Sequence, residues 1–173
     1  LSDRFTKKEV NKSDIVTTSS KGLADYVRDN YKKEAYFIPN GVNLNKIRSV
    51  TQVQVDDLRK KHSLTGKYLI GYIGYIGSWV NVELVVNAFR IFKKIVPEAV
   101  LLWIGSSSGI NELKSKYENT DIIFVGGVIS DIEQYFNLLD LCILPTKKSP
   151  FQDMAFHIKL IEYTAAKKIV VST

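Results

Sequence analysis

The sequence has one cysteine, Cys142, which excludes an internal disulfide and suits a reducing compartment. It has two histidines, His62 and His157, too far apart in the chain to form a ligand spacing, so no metal-binding motif is present. Its four prolines, Pro39, Pro97, Pro145 and Pro150, fall between segments of regular pattern, where they mark turns and element ends. No apolar run approaches the roughly 18–20 residues of a membrane-spanning helix. Leu1 to Asn11 is charged and broken, unlike a secretory leader. Gly71, Gly74 and Gly77 are evenly spaced, so a G-x-G-x-x-G dinucleotide fingerprint is missing. Neither arginine nor lysine occurs between Gly77 and Ala88. Internal repeats and low-complexity segments are also absent.

What remains is a globular composition. A chain of 173 residues, 45% hydrophobic and 11% aromatic, can bury one sizeable core. Cys142 lies in the apolar run Leu141 to Leu144 and reads as a small core residue, not a nucleophile. The formal charge is +6, much of it in six Lys-Lys doublets that begin at Lys7, Lys32, Lys60, Lys93, Lys147 and Lys167. Several fall at apparent helix ends, where the helix dipole favours a cation. A second reading is attraction to anions, either nucleotide phosphates or an anionic membrane face. The doublets are scattered and not interleaved with aromatics, so no nucleic-acid partner is expected.

Along the chain, Asp3 to Lys12 reads as a helix end and Ile15 to Thr18 as a short β-branched strand. Ser19-Ser20 caps a helix from Lys21 to about Tyr31, and Ala35 to Ile38 is a strand closed by the turn Pro39-Asn40-Gly41. Asn43 to Ser63 is helical in pieces, with Val55 and Leu58 apolar. Four strand-like runs follow: Tyr68–Gly74, Val100–Ile104, Ile122–Val125 and Leu141–Leu144. Helical patterns separate them, at Val82–Phe92, Ile110–Tyr117 and Asp131–Leu139. Strands that are apolar throughout and alternate with helices predict an α/β, Rossmann-like parallel sheet covered on both faces.

The last quarter carries the most informative pattern. Pro150 opens a predicted loop that carries Asp153, and a predicted helix follows with His157, Lys159 and Glu162. Phe156, Leu160 and Tyr163 share one face of that helix, with Ile158, Ile161 and Ala165 on the next, so more burial than exposure is expected. Glu162 and Lys159, three apart, either satisfy each other or serve a ligand. Ile169 to Ser172 is a closing strand.

The stretch Ile158 to Ser172 resembles the donor-site helix and following strand of retaining glycosyltransferases of the GT-B fold, of the glycosyl transferases group 1 or family 4 type. Aligned on Glu162, Phe156 falls at the family's phenylalanine, His157 at its glycine and Met154 at its first acid, with Asp153 one residue earlier. A second match lies upstream and in the right order. Ser13, Asp14, Val16, Ser19 and then Ile38, Pro39, Asn40, Gly41 and Val42 resemble the segment where such enzymes cross from their N-terminal to their C-terminal domain. The resemblance implies that residues 1–44 are the tail of an N-terminal domain with the interdomain linker. It implies that residues 45–173 are a nucleotide-sugar-binding domain, incomplete at its C-terminus. The chain would then be a truncated piece, the C-terminal half of a GT-B fold, and inactive alone.

The same resemblance assigns roles. Glu162 would accept hydrogen bonds from ribose hydroxyls, and Asp153 would hold the sugar; these are the expected catalytic residues. Asp153 is expected in the loop or at the helix N-cap, opening toward the cleft of Glu162. The loop of Gly74, Gly77, Ser78 and Trp79 would approach the diphosphate, with Gly105 beside it and Gly127 and Val128 edging the base. Backbone at Phe156 and His157 would meet the sugar or diphosphate, and Lys159, Lys147 or Lys148 would supply a cation. Trp79 reads equally as a stacking platform or as core. The implied partners are a nucleotide-diphospho-sugar, used as substrate without cofactor or metal, and a glycan or lipid-linked acceptor. Cytoplasmic placement is expected, the inner face of a membrane included. Two other readings stay open: a non-catalytic sugar-nucleotide-binding module, and a GT-B-fold sugar-nucleotide epimerase.

Overall fold

The computed structural model describes residues 3–118, 120–127 and 130–173, the side chains of residues 3–5 excepted. In chain order the elements begin with α1 (Asp3–Lys12), β1 (Thr17–Thr18), α2 (Lys21–Tyr31), β2 (Tyr36–Phe37), α3 (Leu44–Arg48) and α4 (Gln52–Lys61). Next come β3 (Tyr68–Ile73), α5 (Val82–Lys93), β4 (Ala99–Ile104), α6 (Ile110–Lys116) and β5 (Ile122–Gly126). The last are α7 (Ile132–Leu138), β6 (Leu141–Leu144), α8 (Pro150–Met154), α9 (Ile158–Ala165) and β7 (Ile169–Ser172). Two compact units result: Leu1–Gly41 with Lys148–Ile158, and Val42–Lys147 with Lys159–Thr173. The segment 148–158, read from the sequence as part of the larger domain, falls in the first unit.

The first unit holds α1, α2, α8 and a two-stranded parallel sheet of β1 and β2. The strand expected over Ile15–Thr18 is only two residues long, and Ile15 is exposed. Ser20 caps α2: its hydroxyl oxygen accepts the Leu23 N–H at 3.1 Å and its proton goes to the Met154 carbonyl, which joins α2 to α8. The loop expected at Pro150 is instead the helix α8. Ser149 is its N-cap, accepting the Gln152 N–H at 3.2 Å, and Pro150 takes the first turn, where its missing N–H costs nothing. Asp153 is therefore helical, its own N–H bonded to the Ser149 carbonyl at 2.9 Å, and neither a loop residue nor a cap.

The second unit is a five-stranded parallel sheet in the order β5-β4-β3-β6-β7. Alternation along each strand sends side chains to opposite faces. Leu69, Ile73, Val100, Leu102, Ile104 and Cys142 face α3, α4, α7 and α9, through Ile47, Val55, Leu58, Phe136 and Tyr163 among others. Ile70, Tyr72, Leu101, Trp103, Phe124 and Ile143 face the other way, against Val86 and Phe89 of α5. Each of these fully buried aliphatic or aromatic side chains contributes roughly 1.5–3 kcal/mol. On the second face Tyr72, Trp103 and Phe124 form a row across three strands, with centroids 5.6 and 6.2 Å apart. Cys142 is fully buried, and burial pushes its thiol up to about 12, which keeps it an inert core group.

The amino edge of this sheet is held by a fork. Arg59 donates to the carbonyls of Lys67 at 2.9 Å and Leu138 at 3.2 Å, and to both carboxylate oxygens of Asp140 at 3.2 Å. Asp140 in turn accepts the Leu69 N–H at 2.8 Å. The helix expected to be buried, α9, begins at Ile158 and so excludes Phe156 and His157. Tyr163 is its buried anchor, whereas Ile158 and Leu160 are more than one-third exposed. Ile158 and Leu160 come from different faces and Ile161 and Ala165 are half-buried, so neither apolar face is buried as a whole.

Two outcomes follow. Tyr163 accepts the buried Ile73 N–H at 2.9 Å. Tyr163→Phe should therefore cost about 1–3 kcal/mol, the penalty of an orphaned buried donor, read as a lower urea midpoint with an unchanged slope. His62, half-buried with Nε2 3.2 Å from the Tyr135 hydroxyl, has its pKa held below 6.5, first by burial and then by Lys61. The unfolded chain binds that proton more readily, so this contribution to stability is present above pH 6.5 and is lost as pH falls toward and through the folded value. His62→Gln should flatten the decline in melting temperature below pH 6.5.

Candidate functional site

All five strands run parallel, so their carboxyl ends share one edge. Strand order reverses between β3 and β6, and crevices for ligands form at such a reversal. The backbone there comes very close. At Gly105, φ is +152° and a Cβ would lie 1.8 Å from the Gly74 carbonyl oxygen, so only glycine fits. Gly74 itself donates to the Ile104 carbonyl at 2.9 Å, and Gly105 to that of Gly126 at 2.8 Å. The three strand ends are thereby drawn into one rim.

The loop after β3 is then fastened to the segment after β6. The Asn81 N–H reaches the Pro145 carbonyl at 2.8 Å, the Lys147 N–H reaches that of Trp79 at 2.7 Å, and Val80 bridges Thr146. Asn81 also caps α5 through the Leu84 N–H at 3.3 Å. Beside this loop opens a cavity of about 810 Å³, lined by Gly77, Ser78 and Trp79 together with Ser107, Ser108 and Gly109 from the loop after β4. Lys147, one of the three cations proposed for a phosphate, lines it too.

Helix α9 brings the carboxylate. Tyr163 fixes the helix to the end of β3, because the β3–β6 pairing stops at Gly71 and leaves the Ile73 N–H to the phenol. Glu162, one residue earlier, has a side chain only 19% exposed, and its Oε2 lies 2.9 Å from Lys159 Nζ. That contact is an ion pair off hydrogen-bond geometry, so the buried Oε2 accepts no hydrogen bond among the described residues. Lys159 Nζ also lies 5.6 Å over the Phe136 ring, which fixes its stem. A carboxylate is acceptor-only, so this oxygen is suited to take a ligand hydroxyl.

Of the residues expected at the site, Gly74, Gly77, Ser78, Trp79, Gly105 and Gly127 lie on the carboxyl-edge loops of the second unit, which also contains Lys159 and Glu162. Asp153, Phe156 and His157 lie in the first unit. There Asp153 is exposed on α8, while Phe156 and His157 occupy the break before α9. Val128 lies outside the described residues. Sequence reasoning missed Tyr75, Glu83, Glu112 and Lys116, all of which line the cavity. Tyr75 was hidden inside the repetitive YIGYIG run, and the other three sit on helix faces that carry no motif. Among the described residues, no helix is long and apolar enough to cross a membrane.

Comparison with known proteins bears on this arrangement. The family model for glycosyl transferases group 1 matches residues 67–173, more than half of the chain. The glycosyltransferase TuaH of Bacillus subtilis (strain 168) is 25% identical over 172 residues, which is 95% of this chain and 41% of TuaH. The glycosyltransferase MJ1069 of Methanocaldococcus jannaschii is 26% identical over 123 residues, 68% of this chain and 30% of that protein. The chain thus spans less than half the length of these relatives. Among solved structures, Anabaena Alr3699/HepE in complex with UDP-glucose superposes with a TM-score of 0.79 at 17% identity, over 98% of this chain and 47% of that one. A glycosyltransferase from Rickettsia africae ESF-5 gives 0.80 at 22% identity, over 99% and 48%. The sheet covered by helices on both faces is that of the C-terminal domains of GT-B glycosyltransferases, and the chain belongs to the glycosyl transferases group 1 family.

Proposed function

We propose that this chain is the donor-binding part of a glycosyltransferase that moves a sugar, with retention, from a nucleotide-diphospho-sugar to a glycan or lipid-linked glycan. The observation that carries the reading is Glu162 Oε2, buried on α9, ion-paired with Lys159 Nζ at 2.9 Å and accepting no hydrogen bond among the described residues. A ribose offers two adjacent hydroxyls, which one carboxylate accepts together. The UDP-glucose complex of HepE, a protein of the same fold, supports a nucleotide sugar as the ligand class.

In this reading Glu162 holds the ribose, and Lys159, one turn before it, turns its ammonium to the departing diphosphate. The bond from the anomeric carbon to the phosphate oxygen breaks, and the acceptor hydroxyl forms its bond on the same face. Its proton passes to the leaving phosphate. No metal is required in this reading. The protein works in the cytoplasm or at the inner membrane face, where a lipid-linked acceptor is presented. A second reading, a sugar-nucleotide-binding module without catalysis, draws on Lys159 being already paired with Glu162 and on the lack of arginine or lysine between Gly77 and Ala88. Product analysis of the intact protein with a panel of nucleotide sugars separates the two, and a product epimerised at the sugar would point to an epimerase.

Glu162→Ala should weaken the best-bound nucleotide of that panel by about 1.5–3 kcal/mol in calorimetry, with an unchanged circular dichroism spectrum. Unchanged affinity would remove Glu162 from the site.

A further inference from the structure

The cavity beside the β3–α5 loop contains two aromatic rings that the donor reading does not use. Tyr75 and Trp79 are 48% and 42% exposed, their centroids are 5.8 Å apart and their planes are tilted by 35°. Burying such rings in the core would stabilise the fold, yet the loop holds both outward. It also holds them firmly. The Trp79 ring lies on the backbone of Gly77, where a Cβ would come within 2.4 Å of it. The Trp79 carbonyl accepts the Lys147 N–H at 2.7 Å, and the Tyr72 hydroxyl donates to the Tyr75 carbonyl at 3.1 Å. A platform fixed in advance spares a ligand the cost of ordering it.

The charges around the platform select the ligand. Glu83, Glu112, Lys116 and Lys147 line the same cavity, two carboxylates against two ammoniums, with Lys116 Nζ 3.4 Å from Glu83 Oε1. A diphosphate placed here would face both carboxylates. A neutral sugar chain meets no net charge: its C–H faces lie on the rings, and its hydroxyls donate to the carboxylates and accept from the ammoniums. The volume of about 810 Å³ is within the roughly 300–1,000 Å³ of ligand pockets. Neither Glu162 nor Lys159 is among the described residues that line it.

We propose that this cavity binds a neutral oligosaccharide, stacked on Tyr75 and Trp79 and hydrogen-bonded by Glu83 and Glu112. The inference does not rest on the donor reading. It is tested by calorimetry on the intact protein with maltotetraose and cellotetraose as neutral probes and UDP as the anionic one. At least one tetrasaccharide should bind. Its affinity should fall at least about tenfold in Trp79→Ala, as for a lost aromatic anchor, and persist in Trp79→Phe. UDP should not compete for the site, and Glu162→Ala should leave sugar binding unchanged. If Trp79→Ala fails to fold, Tyr75→Ala and Glu112→Gln read the same loss from exposed positions. Absence of binding by both tetrasaccharides, binding that survives removal of the rings, or displacement by UDP overturns the assignment. Nucleotide affinity that ignores Glu162→Ala overturns only the donor reading.

Discussion

The hydroxyl of Tyr163 is the contact on which the carboxyl edge of the second unit's sheet depends. Strand β6 pairs with β3 only as far as Gly71, so the Ile73 N–H would be a buried donor without an acceptor. Leaving it so costs about 1–3 kcal/mol, more than a typical hydrogen bond contributes net. The phenol meets that demand from another element, and in doing so sets the position of α9 against the strand end. Edge-to-face packing of Tyr163 on Phe136, with centroids 6.0 Å apart, limits rotation about that anchor. Glu162 is the neighbour of Tyr163 in the chain, so the Tyr163 anchor also sets where its carboxylate lies.

The rim around that anchor is a backbone construction. Gly105 admits the Gly74 carbonyl, and the loops after β3 and β6 are bonded through Asn81, Trp79 and their partners. Side chains carried on such a rim need little ordering when a ligand arrives. The opposite, amino edge is built from different material, the Arg59–Asp140 fork and the Lys168 ammonium on the Asn137 carbonyl at 2.8 Å. Those charges are used up in joining elements. One edge is thus held by charged side chains already satisfied, and the other by main chain that leaves its side chains available.

This division explains how much the sequence disclosed. The four apolar runs from Tyr68 to Leu144 appear as strands within about one residue, because a strand buried on both faces must be apolar at every position. The lysine doublets were legible as helix ends. Lys32 and Lys167 adopt left-handed φ values of 55° and 58° just past α2 and α9, and Lys93 ends α5 with its ammonium 2.8 Å from Asp121. Helix α8 was misread because proline punctuates a loop and the first turn of a helix equally well, and only the Ser149 cap decides between them. The burial of α9 was overestimated for a related reason. Apolar periodicity reports which side chains could be buried, whereas the number that are depends on how much surface the neighbouring elements present. Tyr75, Glu83, Glu112 and Lys116 come together across three elements without any spacing rule, so no motif could have marked them.

The net charge of +6 therefore says less about ligands than its size suggests. Lys33 reaches the Ser13 carbonyl at 2.6 Å, Lys93 the Ala99 carbonyl at 2.7 Å, and Lys168 the Asn137 carbonyl. Each closes a segment within its own unit. Lys159 is held by Glu162 and by the face of Phe136, and Lys116 by Glu83 and by the Tyr117 ring at 5.4 Å. For Lys159 to serve a diphosphate, Glu162 must first find other partners, and ribose hydroxyls are the groups able to replace it. Under the proposed donor reading, binding of the ribose and release of the ammonium toward the phosphates would be one event, since partly buried opposite charges separate only when each gains a substitute.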